Sequence, residues 1–288
     1  MQRNAIILAA GTSSRFLPLS QEVPKGLLEV KGEVLIERQI RQVREAGIND
    51  ICIVTGYKAP MFEYLSDKYG VEIVFNEDYA KYNNTSSLIR VADRLSNTFI
   101  CSSDNYFPEN VFIPKSDYGY YSACYAKGKT SEYCLSVDNN DMIKDVAVGG
   151  ENAWYMIGHA YFNDDFSRKF KSILTKEYED ESVRHQYWED VYIKHIDSLP
   201  PLKINRYAEG QIVEFDSLDE LRAFDHTYID DTRSSILKEI GRNLNCRESS
   251  LKGFSKIPNA EGSLKFAFQK DNEAFIYDNG IIIKEAKL

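Results

Sequence analysis

The 288-residue sequence predicts an α/β fold with a mixed, mostly parallel central sheet, followed by a small C-terminal α+β appendage. Residues 5–10 form a continuous apolar run, which is typical of a strand buried on both faces of a parallel sheet. Strand and helix patterns then alternate within the first 80 residues, which favours right-handed crossovers between parallel strands. From Tyr118 onward the pattern changes to strands rich in tyrosine.

The first half of the chain provides the nucleus of the predicted sheet. Strands are expected at 5–10, 50–56, 71–75 and from 98 to the acid Asp104, and helices at 34–46, around 61–65 and at 86–95. Apolar residues recur at helical spacing between Leu35 and Val43, and Gly47 is the stop signal. Because ligands of such sheets bind at the carboxyl ends of the strands, Gly11 and Gly56 mark the expected ligand side.

The second half predicts further strands and helices in a less regular order. Strands are expected at 118–125, 133–137, 143–146, 155–162 and 213–217, with a hairpin turn at 139–141, and helices at 166–178, from 185 and at 218–224. Beyond 225, Asp231 and Thr232 are expected to cap a helix that runs to about Leu244. Alternating residues at 264–268, 275–277 and 281–283 then predict a sheet of two or three strands.

Composition narrows the possible functions. The net charge of −9 argues against a general nucleic-acid binder. Five dispersed cysteines without C-x-x-C spacing indicate reduced thiols and hence a cytoplasmic location. No apolar run approaches 18 residues, so no membrane association is expected.

The loop after the first strand carries the groups that a triphosphate requires. Gly11 can turn the chain and present backbone N–H groups, residues 12–14 add hydroxyls, and Arg15 and Lys25 add two cations. The loop lacks the Gly-Lys-Ser/Thr of a Walker A motif and the later glycines of a dinucleotide motif. Lys25 follows Pro24 in a loop, and no core role is expected for it.

Two further polar stretches follow strands of the nucleus. The cluster at 82–88 is interpreted either as a helix cap or as a recognition surface for a pyrimidine base. Carboxamide and hydroxyl side chains can donate and accept hydrogen bonds at the edge of such a base. Asp104, at the carboxyl end of a central strand, is either a metal ligand or a turn residue.

Residues 8–15, with Pro24-Lys25 after them, resemble the signature of the sugar-phosphate nucleotidylyltransferase superfamily. Within it the chain is most similar to bacterial CTP:phosphocholine cytidylyltransferases. The supporting segments are 35–40, 46–51, 68–71, 82–84, 103–106, 187–190 and 214–217. The resemblance covers residues 5 to about 225 and implies a three-layer Rossmann-like nucleotidyltransferase domain that transfers CMP from CTP and releases pyrophosphate.

The resemblance also implies residue roles. It implies that Arg15 and Lys25 are catalytic and that Asp104 and Asp216 hold Mg²⁺. The candidate nucleotide-binding residues are Leu8, Ala9, Ala10, Gly11, Thr12, Ser13, Ser14, Tyr82, Asn83, Asn84, Ser86, Ser87 and Ser103.

The acceptor is expected to be a small phosphorylated amino alcohol, with phosphocholine first. The candidate residues for its cationic end are Glu132, Tyr133, Tyr187, Trp188 and Glu189. The alternative is that Trp188 is ordinary helix packing and the acids form a solvated face. Tyr133 stands where the family commonly has tryptophan, and His185 where an acid can precede the Tyr-Trp pair. Phosphoethanolamine and 2-aminoethylphosphonate therefore remain open as acceptors.

Three other functions share parts of this pattern. A sugar-1-phosphate nucleotidylyltransferase performs the same chemistry on another acceptor, whereas a nucleotide-sugar glycosyltransferase would release a nucleoside diphosphate. A nucleotide sensor would not turn over. The domain limits are expected at 1–225 and 226–288, and the second domain is interpreted as a structural appendage or a surface for homo-oligomerisation.

Overall fold

The computed structural model describes residues 3–112, 116–257 and 264–285. The chain packs into two compact units, one of Met1–Gly11 and Leu35–Glu214 and the other of Thr12–Val34 and Phe215–Leu288. Residues 12–34 thus pack with the C-terminal part of the chain, whereas the sequence predicts them within the domain 1–225. The domain limits at 225 and 226 stay a prediction.

Thirteen strands occur in the described residues. In chain order they are β1 Arg3–Ala9, β2 Glu29–Val30, β3 Glu33–Val34, β4 Asp50–Thr55, β5 Glu72–Phe75, β6 Asn97–Ser102, β7 Tyr120–Val137, β8 Ile143–Phe162, β9 Lys203–Arg206, β10 Leu251–Lys256, β11 Lys265–Lys270, β12 Glu273–Asp278 and β13 Ile281–Lys284.

Nine α-helices occur in the same part of the chain. They are α1 Leu35–Glu45, α2 Tyr64–Tyr69, α3 Thr85–Arg90, α4 Asp164–Glu177, α5 Glu181–Arg184, α6 Trp188–Lys194, α7 Leu218–Phe224, α8 Thr227–Asp230 and α9 Ser235–Asn243. Short 3-10 helices at Leu19–Gln21 and Lys25–Leu27 lie in the loop that carries the predicted catalytic cations.

The first unit contains a seven-stranded sheet in the order β5-β4-β1-β6-β8-β7-β9. Four of its pairings are parallel, β4/β5, β1/β4, β1/β6 and β7/β9, and the other two are antiparallel. The predicted mixed, mostly parallel α/β sheet is confirmed. β1 lies between β4 and β6, in the interior of the sheet, and its Ala5, Ile6 and Ile7 are at most 1% exposed, as expected for a strand covered on both faces.

The aromatic half departs from the prediction in strand length. Residues 118–162 form the two long strands β7 and β8 instead of four short ones, and the predicted hairpin turn at 139–141 joins them. Their register shifts at several positions, so bulges produced the breaks in the sequence pattern that predicted separate strands. The strand predicted at 213–217 is absent, since only Val213 pairs, in a single bridge with Tyr106.

The second unit contains the β2/β3 hairpin, helices α7 to α9 and a four-stranded antiparallel sheet in the order β10-β11-β12-β13. Four strands replace the two or three that were predicted. The last predicted helix is α9, and its cap is Ser234, whose Oγ accepts from the Leu237 N–H at 3.1 Å, rather than Asp231 or Thr232. Across the described residues, no helix is long and apolar enough to cross a membrane.

Candidate active site

The loop that follows β1 begins with a glycine whose surroundings are open. A Cβ added to Gly11 would meet no atom within 4 Å. Its φ is ordinary, and the left-handed residue of the loop is Ser13, with φ of 48°. The turn expected at Gly11 therefore lies two residues later. At the end of β4, by contrast, a Cβ on Gly56 would lie 2.5 Å from the Tyr79 Cβ, so packing requires that glycine.

Arg15, Lys25 and Asp216, three of the predicted site residues, come together in the second unit. An Oδ1 atom of Asp216 lies 3.2 Å from Nη2 of Arg15 and 3.8 Å from Nζ of Lys25. The Lys25 side chain is only 6% exposed, whereas that of Arg15 is 75% exposed. Lys25 is thus a buried cation, contrary to the expectation that it has no core role. Arg15 is paired with Asp216, but most of its side chain is accessible to a ligand in solvent.

Asp216 is held by the start of α7. Its backbone N–H donates to Oε2 of Glu220 at 2.7 Å, and the Ser217 hydroxyl caps the helix by accepting from the Glu220 N–H at 3.2 Å. The serine and the glutamate three residues later thus fix the chain at the helix entrance. Local capping, rather than the predicted strand, positions this acid.

Asp104 lies in the first unit, in the turn just after β6. The residues on either side of it are tied down. The Ser103 N–H donates to the Leu8 carbonyl at 3.1 Å, and the fully buried Asn105 donates from Nδ2 to the Ile157 carbonyl at 3.0 Å. Gln39 of α1 donates to the carbonyls of Ser102 and Asn105. This turn is therefore rigid, and Gln39 and Asn105 are supporting residues that the sequence analysis did not identify.

The 82–87 segment is not a side-chain cap. Asn84 precedes α3 but makes no capping hydrogen bond to it. The hydroxyls of Ser86 and Ser87 are buried and accept from Nδ2 of Asn76 at 2.8 and 3.0 Å. Recognition of a base by this segment stays a prediction. Its aromatic member, Tyr82, is half-buried, and its ring lies edge-on to that of His185 at 5.0 Å.

Asn84 instead connects α3 to α6. Its Oδ1 accepts from the Trp188 N–H at 2.8 Å, and its Nδ2 donates to Oε2 of Glu189 at 3.3 Å. The other carboxyl oxygen of Glu189 accepts from the Tyr121 hydroxyl at 3.0 Å. Two predicted groups, one for the nucleotide and one for the acceptor, are therefore in direct contact.

Glu189 is a buried carboxyl with an altered pKa. Burial raises its pKa from 4.5 to about 7, and the hydrogen bonds from Tyr121 and Asn84 oppose this effect. A carboxyl that loses its proton near neutral pH inside the protein is unusual and typical of functional sites.

Because the pKa of Glu189 is raised in the folded protein, the free energy of unfolding depends on pH through this residue. Between pH 4.5 and 7 the native state holds this proton more tightly than the unfolded chain, so the contribution of the group to stability falls as pH rises and is lost above 7. The wild type should therefore lose roughly 3 kcal/mol of unfolding free energy between these pH values, and Glu189→Gln should abolish this loss. Urea unfolding at pH 5 and pH 7.5 measures it, with the exposed Glu132→Gln as control. Equal pH dependence of all three proteins would contradict the assignment.

A second pair of groups joins β7 to α6. The Tyr133 hydroxyl donates to Oδ1 of Asp190 at 2.8 Å, and the Tyr187 N–H donates to the other oxygen of Asp190 at 2.9 Å. The rings of Tyr133 and Tyr187 meet edge-on at 6.4 Å, and Tyr187 is 46% exposed. Tyr187 is thus an accessible aromatic face beside a carboxylate.

Trp188 belongs to the core. It is 2% exposed, its ring stacks on Tyr121 at 5.7 Å, and Phe162 and Phe170 approach it edge-on at 5.5 and 6.0 Å. These contacts support the packing interpretation of Trp188 and leave no face of the indole for a ligand.

Further acids surround the same region. Burial first, and then the charges of Cys124, Glu132 and Glu214, raise the pKa of Tyr155 on β8 to about 12. Besides burial, the charge of Glu214 also raises the pKa of Tyr121 and that of Cys124. Glu214, Tyr155 and Tyr121 were not among the residues predicted from the sequence, although an acid two residues before a predicted metal ligand was a usable signal. We call Tyr121, Tyr133, Tyr155, Tyr187, Glu132, Glu189, Asp190 and Glu214 the acidic–aromatic cluster.

Comparison with known proteins identifies relatives over most of the chain. Residues 5–115 match the model of the MobA-like NTP transferase domain. The chain is 34% identical over 218 residues to the choline-phosphate cytidylyltransferase of Streptococcus pneumoniae, which is 76% of this chain and 95% of that protein. It is also 34% identical over 230 residues to the 2-aminoethylphosphonate cytidylyltransferase of Lancefieldella rimae, covering 78% and 93% of the two chains.

The fold agrees with these sequence relationships. The solved structure of the CTP:phosphocholine cytidylyltransferase from Streptococcus pneumoniae superposes with a TM-score of 0.76 at 32% identity, covering 79% of this chain and 99% of that one. The resemblance seen in the sequence is confirmed.

Proposed function

This chain is a nucleotidyltransferase that belongs to the family of choline-phosphate and 2-aminoethylphosphonate cytidylyltransferases, and we propose that it transfers CMP from CTP to phosphocholine. A phosphate oxygen of the acceptor attacks the α-phosphorus of CTP. The bond from that phosphorus to the bridging oxygen breaks, and pyrophosphate leaves. No protein nucleophile is needed, so the protein contributes positioning and charge neutralisation.

The acidic–aromatic cluster is the observation that supports the choice of acceptor. The oxygens of Glu189 accept from Tyr121 and Asn84, and those of Asp190 accept from Tyr133 and Tyr187. The Asp190 carboxylate therefore offers negative charge, and Glu189 adds to it once it loses its proton near pH 7, while protein donors already occupy their oxygens. A quaternary ammonium needs charge and aromatic faces but donates no hydrogen bond, whereas a primary ammonium requires open acceptors.

Arg15 and Lys25 are proposed to act on the triphosphate. The exposed Arg15 guanidinium provides a fork of donors for the oxygens of the leaving pyrophosphate, and the buried Lys25 ammonium neutralises the charge at the reacting phosphate. Asp216 holds both side chains in place through its ion pairs. The arrangement supplies fixed cations, as stabilisation of a phosphoryl-transfer transition state requires.

Asp104 and Asp216 fit the oxygen donors that Mg²⁺ prefers, and a Mg²⁺ site commonly uses only one or two carboxylates. No cluster of three or more potential metal-binding side chains occurs in the described part of the chain. When bound, the ion would neutralise phosphate charge. Asp216 would then give up part of its attraction for Arg15, which leaves the guanidinium to bind phosphate oxygens.

Replacement of Tyr187 tests the acceptor site. Tyr187→Ala should weaken phosphocholine binding by about 0.5–2 kcal/mol, the range of one cation–π contact, and leave the KM for CTP unchanged. Tyr118→Ala is the matched control because Tyr118 is 49% exposed, close to the 46% of Tyr187. Steady-state kinetics with each substrate varied in turn provides the measurement.

The acceptor itself is decided by kcat/KM for phosphocholine, phosphoethanolamine and 2-aminoethylphosphonate. We expect phosphocholine to be preferred. If either primary amine were better by about tenfold, the choline assignment would be wrong while CMP transfer would stand. Activity only with a sugar 1-phosphate would replace the whole acceptor assignment.

A further inference from the structure

We infer that Glu22 is a positioning residue for Lys25, and that helix α9, far away in sequence, is thereby part of the support of the catalytic loop. The inference rests on the role proposed above for Lys25. Every contact that carries it lies within the second unit.

Glu22 binds the N-terminus of α9. Its Oε1 accepts from the Ser235 N–H at 2.7 Å, from the Ser235 hydroxyl, and from the Ile236 N–H at 3.4 Å. The Ser234 cap takes the next N–H of the helix, that of Leu237. The first-turn N–H groups of α9 are thus shared between its own cap and a carboxylate from 213 residues earlier. A negative charge at this end of a helix is also favoured by the helix dipole.

The chain between Glu22 and Lys25 is short and stiff. Only Val23 and Pro24 separate them, and the proline ring fixes one of the backbone torsions. The Glu22 and Val23 N–H groups both donate to the Leu19 carbonyl at 2.9 Å, and the Leu27 N–H donates to the Pro24 carbonyl at the same distance. A displacement of the Glu22 backbone should therefore displace the Lys25 backbone by a similar amount.

A second anchor lies on the other side of Lys25. The Glu29 carbonyl accepts from the Tyr228 hydroxyl at 2.7 Å and from Nη1 of Arg233 at 3.2 Å. Arg233 in turn lies over the Tyr228 ring, with 4.4 Å from its guanidinium carbon to the ring centroid. The segment 228–236 thus holds the loop both before and after Lys25. Because the Lys25 side chain is buried, the direction of its ammonium depends on this frame.

The test compares two changes at the same end of α9. Glu22→Ala removes the contact with the loop, whereas Ser234→Ala removes only the cap of the helix. We expect Glu22→Ala to lower kcat between about tenfold and 100-fold, the effect of a misplaced catalytic group, with little change in either KM. Glu22→Gln, which keeps an oxygen acceptor, should restore most of kcat. Ser234→Ala should lower the Tm but keep kcat near that of the wild type.

A double-variant cycle shows whether Glu22 acts through Lys25. In a Lys25→Met background, Glu22→Ala should cause no further loss of kcat. Three results would overturn the inference and leave the proposed role of Lys25 standing. They are additive losses in the double variant, an unimpaired Glu22→Ala enzyme, and equal kcat losses for Glu22→Ala and Ser234→Ala at equal Tm. A fully active Lys25→Met enzyme would instead refute the proposed role of Lys25, and the inference with it.

Discussion

Lys25→Met should lower kcat/KM by about 10²–10³-fold, because one preorganised charge contact to a transition state contributes roughly 2.7–4 kcal/mol. Methionine is chosen because Lys25 is buried and its stem packs inside the loop, with Nζ 5.8 Å from the centre of the Phe16 ring. The variant retains most of the apolar stem and removes only the charge. The measurement is pyrophosphate release under steady-state conditions, with the Tm recorded for each protein.

Lys31→Met is the matched control for this experiment. Lys31 lies in the turn between β2 and β3, and its Nζ is 5.1 Å from the centre of the Phe224 ring. Unlike Lys25 it is exposed, and the described ion pairs of Asp216 are with Arg15 and Lys25 rather than with Lys31. We expect the control to keep its kcat/KM. Equal losses in both variants would show that the loss of any lysine from this part of the chain, rather than the charge of Lys25 itself, lowers turnover.

Asp216→Asn and Asp104→Asn should each lower Mg²⁺-dependent turnover by about 10³-fold or more, since a catalytic metal ion supplies several kcal/mol of charge stabilisation. If both aspartates serve one ion, the double variant should be little worse than either single variant, because ligands of one ion act as a unit. Loss in the double variant equal to the product of the single losses would contradict a shared ion.

Asp219→Asn controls for the loss of an ion-paired surface carboxylate. Asp219 pairs with Arg222 at 3.3 Å and its side chain is 44% exposed, against 40% for Asp216. It should retain turnover. Asp216→Asn should also release Arg15 and Lys25 from their carboxylate, so its Tm separates a structural loss from a catalytic one.

The nucleus of the fold was readable because its signals are local. Gly47 and Gly56 follow α1 and β4. Runs of at least four buried residues occur in β1, β4 and β6, and α1 has one apolar face. β9 was missed because its four residues include two cations and an asparagine, and only pairing with β7 makes it a strand. β10 was missed for a similar reason, since a register shift near Gly253 interrupts its alternation.

The candidate site was readable in part. The resemblance drew attention to Arg15, Lys25 and Asp216, and the structure brings these three together. Sequence could not show that Trp188 is buried on Tyr121, because the two are distant in sequence and an aromatic residue on a helix fits either role. The contact of Glu22 with Ser235 likewise results from tertiary packing, and no local sequence pattern predicts it.

The most direct test of CMP transfer from CTP is pyrophosphate release by the wild-type enzyme with each of the four nucleoside triphosphates, in the presence of Mg²⁺ and phosphocholine. We expect turnover with CTP and little with UTP at matched concentration, together with formation of CDP-choline. Preference for UTP, or release of a nucleoside diphosphate in place of pyrophosphate, would contradict it.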